Sequence, residues 1–218
     1  MAYSGVVALV SGGLDSCCLV HLLLKGGMKV FPLSVRCGLV WEEAELVWLR
    51  RWLAQVRHPR LNSLKTLEVP VHAMYAHHWS LTARGIPSAR SRDESVYLPG
   101  RNVLLLSHAA VYAVEQGLST LAMGTLAGNP FADAKPDFLK RFAACLSQAL
   151  AKPVKIETPL RRFTKARLIN TFPKQPFELT FSCLQPQGTR HCGRCNKCAE
   201  RQRAFQQARV PDPTMYVG

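Results

Sequence analysis

The fold is decided by the stretch VVALVSGGLDSCCLVHLLL, residues 6–24, in which a polar hexapeptide separates two strongly apolar runs. The first run, residues 6–10, is rich in Val and predicts a buried strand. The second run predicts a helix over residues 16–25, which Gly26 and Gly27 end. A strand that passes directly into a helix is the first half of a parallel β–α–β unit. The hexapeptide itself consists of Ser11, Gly12, Gly13, Leu14, Asp15 and Ser16.

The same alternation continues along the chain to about residue 158. Further strands are predicted at 30–35, 64–69, 118–123 and 155–158, and further helices at 41–56, 102–116 and 136–150. In the second helix we expect the negative charges of Glu42, Glu43 and Glu45 to interact favourably with the positive N-terminal end of the helix dipole. Residues 72–99 show little periodicity and are too long for an ordinary connection, which indicates a functional or mobile loop. Together these patterns predict an α/β protein with a doubly wound parallel sheet.

Composition limits the class of protein. The chain has 218 residues and a formal net charge of +14, enough length for one core with a small appended module. No apolar run approaches the ~18 residues that span a bilayer, and no signal peptide is recognisable. We therefore expect a cytoplasmic protein without a membrane partner, whose cysteines are reduced.

The basic charge is concentrated toward the C-terminus, where residues 151–218 hold 13 Lys and Arg against 4 Asp and Glu. Such an excess suits polyphosphate, RNA or solubility alone, and charge does not choose among them. Because the strand–helix pattern also changes after Pro159, we predict two units. The first is an α/β domain over residues 1–158, and the second is a basic module over residues 159–218.

The hexapeptide is predicted to lie at the carboxyl edge of the sheet, where open parallel sheets bind ligands. Gly12 and Gly13 allow a sharp turn whose N–H groups converge on an anion, and the following helix adds partial positive charge. Asp15 repels phosphate unless it holds Mg²⁺ or a backbone N–H. A Walker loop is excluded because its Lys is missing, and the dinucleotide fingerprint lacks its third Gly. The alternative is an ordinary turn in which Asp15 or Ser16 caps the helix.

A second motif lies near the C-terminus, where four cysteines follow the spacing C-x8-C-x2-C-x2-C. Four thiolates satisfy tetrahedral Zn²⁺ and leave no open position for catalysis. An iron–sulfur cluster is the alternative, although the C-x3-C-P ending of ferredoxin-type runs is absent. The four other cysteines, Cys17, Cys18, Cys37 and Cys145, are predicted to fill the core. The predicted metal ligands are Cys183, Cys192, Cys195 and Cys198.

The hexapeptide resembles the SGGxDS loop of the PP-loop ATP-pyrophosphatase superfamily, which implies binding of Mg·ATP and adenylation of an acceptor. With the late cysteines, three further stretches are similar to the 7-cyano-7-deazaguanine synthase family: LPGRNVLLLSHAA (98–110), GTLAGNPFADAKPDF (124–138) and ETPLRRFTKARL (157–168). This resemblance implies conversion of 7-carboxy-7-deazaguanine, ammonia and ATP to a nitrile. It implies one zinc, and a small-molecule substrate in place of nucleic acid.

The resemblance also suggests roles for individual residues. Arg101 and Asn102 match the family's P-G-R-N and face a phosphate or the substrate. Asp133 matches an aspartate whose carboxylate would accept N–H bonds from a guanine-like ring, and Lys165 matches a lysine suited to departing phosphate charge. Asp15, Arg101 and Lys165 are therefore the predicted catalytic residues. For Asn102 and Asp133, a helix cap and a loop turn are the alternatives.

One stretch departs from the family, which carries Y-x-Q-R-H after the second strand where this chain reads VRCGLVWEEAE, residues 35–45. The acceptor can therefore differ from the usual deazapurine, and the alternatives are a divergent ligase that makes an amide or uses another carboxylate. A tRNA-modifying PP-loop enzyme of the thiolase or lysidine type, or a non-catalytic adaptor, is a further alternative. We also expect a homodimer. Trp41, Trp48 and Trp52 form either a stripe at the dimer interface or a helix face that is buried within one chain.

Overall fold

The computed structural model describes residues 5–217 and has a five-stranded sheet at its centre. All pairings are parallel, in the order β3-β2-β1-β4-β5, which confirms the predicted doubly wound sheet. The order reverses between β1 and β4, so the crevice beyond their carboxyl ends is the expected ligand site. The strands are β1 (Gly5–Leu9), β2 (Lys29–Arg36), β3 (Lys65–Glu68), β4 (Thr120–Ala122) and β5 (Lys155–Glu157).

Eight α-helices within the described residues accompany the sheet. They are α1 (Leu14–Lys25), α2 (Glu42–Gln55), α3 (His72–Tyr75), α4 (Trp79–Thr82), α5 (Arg101–Glu115), α6 (Pro136–Ala149), α7 (Lys165–Thr171) and α8 (Asn196–Ala208). The segment 72–99 holds α3, α4 and a 3-10 turn, and such single turns are too short to produce a periodic pattern. No helix among residues 5–217 has the length and hydropathy that a bilayer crossing requires.

The core around the sheet has two halves, one on each face, and a third apolar cluster surrounds the four late cysteines. Val6, Ala8 and Val10 face the helices α1 and α2, and Val7 faces α5 and α6 together with Leu121. The first half also contains apolar side chains that follow residue 158, namely Leu160, Leu168, Ile169, Phe172, Phe177, Ala204, Phe205 and Ala208. The two predicted units thus share a hydrophobic cluster, and the boundary near residue 158 stays a prediction.

The cysteine predictions are partly confirmed, and the structure favours one of the two tryptophan alternatives. Cys17, Cys18 and Cys37 are buried as predicted, but Cys145 is exposed because it lies on the outer side of α6, beside the buried Leu146. Trp41 and Trp52 are buried within this chain, which favours the buried-face interpretation of the tryptophans. The homodimer itself stays a prediction.

A buried arginine ties the C-terminal segment together. The guanidinium of Arg201 on α8 is fully buried and donates to Thr214 Oγ1 at 2.5 Å, to Thr180 Oγ1 at 2.7 Å and to Phe177 O at 2.8 Å. Asp212 Oδ1 lies 3.5 Å from Arg201 Nε and supplies the opposite charge. Arg201 therefore joins α8 to the 177–180 and 212–214 segments through charge-assisted hydrogen bonds.

We predict that Arg201→Met lowers the free energy of unfolding by about 3 kcal/mol, because it leaves Asp212 without its cation and three acceptors without their donor. Denaturant unfolding followed by circular dichroism measures this change. The matched control is Arg203→Met, two residues further along the same helix and exposed, for which we expect a change within about 0.5 kcal/mol. Equal losses in the two variants would contradict the structural role of Arg201.

Candidate active site and metal centre

The loop between β1 and α1 is shaped by a glycine that packs against α2. Gly12 has φ +86°, and a Cβ at this position would lie 3.0 Å from both Glu45 O and Leu49 Cβ. A side chain would therefore meet a helix backbone in a conformation that L-residues rarely adopt. Gly13, by contrast, is extended, with φ −68° and ψ 156°, and forms the N-cap of α1.

Two serines hold this loop in place and leave the helix terminus open. Ser16 Oγ donates to Gly13 O at 3.0 Å and accepts from Ser11 N at 3.3 Å, while Ser11 Oγ accepts from Gly13 N at 3.3 Å. No side chain of the described residues caps α1 at its N-cap, so the alternative in which Asp15 or Ser16 caps this helix is wrong. The first-turn N–H groups of α1 thus remain available to an anion.

Two cavities meet at this loop. The first, of about 300 Å³, runs along the carboxyl ends of β1, β2 and β4 and is bounded by α5. The second, of about 220 Å³, extends toward α7, α8 and the cysteine cluster and has aromatic walls from Trp41, Trp79 and Phe181. The lining residues common to both cavities are Ser11, Gly13, Asp15, Glu45, Arg101 and Phe131.

A chain of alternating charges lies beside the loop. Lys165 Nζ is 3.4 Å from Asp15 Oδ2 and 2.7 Å from Glu200 Oε1, and Lys197 Nζ is 2.7 Å from Glu200 Oε2. Burial raises the pKa of Asp15 against the attraction of Lys165. Burial also acts to raise the pKa of Glu200, but the two lysines outweigh it and lower that pKa to about 2. Asp15 Oδ1 is buried and has no hydrogen-bond partner among the described residues, which leaves it free to meet a cation.

The start of α5 forms the opposite wall of the first cavity. Arg101 lines both cavities, and its buried Nε has no partner among residues 5–217. Asn102 lines the first cavity and donates from its N to Asp133 Oδ2 at 3.1 Å and from its Nδ2 to Asp133 Oδ1 at 3.0 Å. The Asp133 carboxylate thus binds the first turn of α5 and holds the Asn102 side chain. The helix-cap alternative for Asn102 is not found, since Gly100 is the N-cap of α5. Direct contact of Asp133 with a substrate stays a prediction.

The loop that departs from the family is held by a glutamate. Glu42 is buried and accepts from Cys37 N at 2.9 Å, Gly38 N at 2.8 Å and Leu39 N at 3.2 Å. It therefore does more than complement a helix dipole, which was the role expected from the sequence. Arg36, at the end of β2, forms ion pairs with Glu43 and with Glu68.

Three residues of this site were missed in the sequence. Glu45 lines both cavities, and burial raises the pKa of its carboxyl to about 8 despite the opposing effect of Arg101. Lys197 and Glu200 join the charge chain from α8. The sequence does contain a signal for Lys197 and Glu200: they are three residues apart, on either side of Cys198, and this spacing places both on one side of a helix.

The four predicted metal ligands come together. Their sulfur atoms all lie within 4.8 Å of one another and all four residues are buried. Two backbone N–H groups donate to this cluster, Leu184 N to Cys195 Sγ and Cys192 N to Cys183 Sγ, each at 3.3 Å. Hydrogen bonds from the Cys183 and Cys198 thiols lower the pKa of Cys195. The cluster has the burial and the four closely spaced sulfur ligands of a site that could hold a metal ion.

The cysteine cluster also fastens the long 72–99 segment. Asn196 donates from its N to Pro87 O and from its Nδ2 to Ser91 O, both at 2.9 Å, and Ala89 N donates to Arg194 O at 3.0 Å. Cys183 lines the second cavity. A metal bound here would therefore cross-link the wall of the second cavity to the start of α8.

A family model described as "Queuosine biosynthesis protein QueC" matches residues 5–209 of the chain. The chain belongs to the QueC family. The family resemblance of the sequence motifs is thereby confirmed. A curated QueC-family relative from Anaeromyxobacter sp. strain Fw109-5, named 7-cyano-7-deazaguanine synthase, is 31% identical and the match covers 97% of this chain and 95% of the relative. A protein of the same name from Methanothrix thermoacetophila is 31% identical, with 96% and 97% covered.

Solved structures extend the fold of this QueC-family chain to more distant proteins. The U34-tRNA thiolase NcsA from Methanococcus maripaludis, solved with its [4Fe-4S] cluster, superposes with a TM-score of 0.54. It is 12% identical, and the match covers 95% of this chain and 68% of the thiolase. At that identity the likeness shows the fold alone.

We predict that Gly12→Ala destabilises this QueC-family chain by about 1–3 kcal/mol beyond the backbone strain, because its Cβ would press on the main chain of α2. The control is Gly117→Ala, whose φ of +68° is similar but whose Cβ would meet open space, so that only about 1–2 kcal/mol of strain remains. Denaturant unfolding of the two variants measures the difference. Equal destabilisation would show that α2 does not constrain the loop.

Proposed function

We propose that this chain is an ATP-dependent carbon–nitrogen ligase that converts 7-carboxy-7-deazaguanine and ammonia to 7-cyano-7-deazaguanine, a queuosine precursor. The observation that carries the proposal is the uncapped N-terminus of α1, which opens where the first and second cavities meet, beside Lys165. The QueC membership of the chain and the names of its relatives support this substrate.

The reaction consists of two adenylations. An oxygen of the substrate carboxylate attacks the α-phosphorus of ATP, and the bond to the bridging oxygen breaks as pyrophosphate leaves. Ammonia then attacks the acyl carbon, AMP leaves with that oxygen, and an amide remains after loss of a proton. The amide oxygen is adenylated by a second ATP, and loss of AMP and of the remaining N–H protons gives the nitrile.

The residues of the cleft divide this work. The first-turn N–H groups of α1 bind the departing pyrophosphate, and Lys165 neutralises the charge that develops on it. Arg101 and Asn102 orient the acceptor or the phosphates, and Asp133 supports binding through Asn102. Asp15 is the ligand for Mg²⁺, for which its unpartnered Oδ1 is suited, and Mg²⁺ would neutralise phosphate charge when bound there.

For the cysteine cluster we propose zinc. A tetrahedral site with Zn–S bonds of about 2.3 Å has sulfur atoms about 3.8 Å apart. The separation of Cys192 Sγ and Cys198 Sγ is 4.0 Å, which is close to that spacing. Zinc bound by four thiolates supplies a structural cross-link, since no coordination position is left for substrate.

We predict about one zinc ion per chain by inductively coupled plasma mass spectrometry, because four thiolates satisfy its coordination. The protein should be colourless, and a brown protein with iron and sulfide would instead favour the cluster that the thiolase fold also accommodates. Cys195→Ser should lower both the zinc content and the thermal stability. Cys145→Ser is the matched control, since Cys145 is exposed and distant from the cluster in sequence.

The proposal also covers the localisation, the oligomeric state and the domain organisation of the enzyme. We propose a cytoplasmic homodimer that acts on a free small molecule, with a nucleotide domain over residues 1–158 and a metal module over 159–218 that completes the site with Lys165 and Lys197. The competing function is tRNA modification, with which the basic C-terminal charge is compatible. A tRNA-dependent release of AMP that weakens steeply with salt would support that competitor.

We predict that AMP appears only when ATP, ammonium and 7-carboxy-7-deazaguanine are all present, and that Asp15→Asn reduces AMP formation at least about 100-fold by removing a charged ligand at the reacting phosphates. Chromatographic quantification of AMP measures both effects. Asp137→Asn on the exposed start of α6 is the control and should retain the wild-type rate. Unchanged AMP release by Asp15→Asn would remove the loop from the mechanism.

A further inference from the structure

Nitrile formation has a proton requirement that the groups assigned above do not meet. Ammonia is mostly protonated at neutral pH, and ammonium must lose one proton before its nitrogen can attack. The nitrogen then loses its remaining three protons on the way to the nitrile. This reasoning rests on the proposed function, and it asks which side chain of the cleft accepts a proton from nitrogen.

Most carboxylates at or near the two cavities are already occupied. Glu42 accepts from three backbone N–H groups, and Asp133 accepts twice from Asn102. Asp15 is paired with Lys165, and Glu200 is paired with Lys165 and Lys197. In the described part of the chain, the carboxyl of Glu45 has no hydrogen bond and no ion pair, although it lines both cavities.

The position of Glu45 places it near the reacting atoms. Its carbonyl oxygen lies against Gly12 of the phosphate-binding loop, at 3.0 Å from where a Cβ would be. Glu45 lines both cavities together with Ser11, Gly13 and Arg101. A nucleotide in one cavity and an acceptor in the other would therefore react at the junction that Glu45 lines.

We propose that Glu45 binds ammonium at this junction and acts as the general base for its nitrogen. A carboxylate oxygen of Glu45 takes a proton from ammonium, and the freed electron pair attacks the acyl carbon of the adenylate as the bond to AMP breaks. The nitrogen then gives a second proton to Glu45, which leaves the neutral amide. After the second adenylation the same carboxylate takes the last two N–H protons in turn, the C≡N bond forms, and the C–O bond to the second AMP breaks. Each proton passes from Glu45 to solvent before the next transfer.

The charges around Glu45 suit this role. Arg101 on α5 and Glu42, one turn earlier on α2, act on the carboxyl of Glu45 with opposite charges. Asp15 on α1, Lys165 on α7 and Lys197 on α8 are the other charged residues that line the second cavity. Burial raises the pKa of Glu45 to about 8. A base with a pKa near the working pH combines sufficient proton affinity with a sufficient fraction in the ionised form. Its ionised fraction grows as the pH rises through that value.

The test compares partial reactions in Glu45→Gln, which keeps the shape of the side chain and removes its basicity. Acceptor-dependent exchange between ATP and labelled pyrophosphate, measured without ammonium, should stay within about twofold of wild type. Ammonium-dependent nitrile formation should fall by about 10²–10⁴-fold, the usual contribution of a general base. Hydroxylamine is uncharged at neutral pH and needs no prior deprotonation, so hydroxamate formation from the first adenylate should be largely retained.

Two controls accompany this test, and three outcomes would contradict the inference about Glu45. Glu115→Gln, at the exposed far end of α5, should leave all three activities unchanged, and circular dichroism should show that Glu45→Gln is folded. Retention of ammonium-dependent turnover by Glu45→Gln would overturn the inference. A parallel loss of pyrophosphate exchange would also overturn it, since Glu45 would then bind the nucleotide or the acceptor. Absence of exchange in the wild type would instead refute the proposed function, and the inference with it.

Discussion

The close contact between Gly12 and α2 is the constraint on which the site depends. A Cβ at Gly12 would lie 3.0 Å from Glu45 O and Leu49 Cβ on α2, and Gly12 O accepts from Phe181 N at 2.8 Å in the C-terminal segment. One residue without a side chain therefore places β1, α2 and the segment before the metal cluster against one another. The N-terminus of α1, Glu45 and the second cavity owe their relative positions to this contact.

The C-terminal segment is part of the site as well as of the core. Cys195 is the N-cap of α8 and Cys198 lies in its first turn, so a bound metal would fix the helix terminus that carries Lys197 and Glu200. Arg201 fixes the next turn of the same helix to the 177–180 segment. A bound metal, the arginine and the charge chain would thus act on successive turns of one helix, which would couple the stability of this region to the geometry of the cleft beside α1.

Motifs whose chemistry is local were predictable from the sequence. The four late cysteines come together as their spacing predicted. The Ser–Gly–Gly turn lies between β1 and α1 as predicted, and its binding of an anion stays a prediction. The position of Glu45 in the site was not predictable, because it arises from the packing of α2 against a loop more than thirty residues earlier in the chain. The position of Asp133 behind Asn102 likewise depends on a tertiary contact between distant segments. Cys145 was misassigned because hydrophobic character alone does not say which side of an amphipathic helix a residue occupies.

The charge chain of Asp15, Lys165, Glu200 and Lys197 has a consequence for turnover. Its two lysines are already matched by two carboxylates before any ligand arrives, so the group as a whole is electrically neutral. A resident surplus of positive charge would hold pyrophosphate strongly after the bond had broken, because attraction between charges in a partly dry cleft is several times stronger than in water. A neutral group can reorganise toward the phosphates during reaction and return to its internal pairs afterwards. In the proposed reaction, such a group would let the cleft release pyrophosphate and accept a second nucleotide for the next half of the cycle.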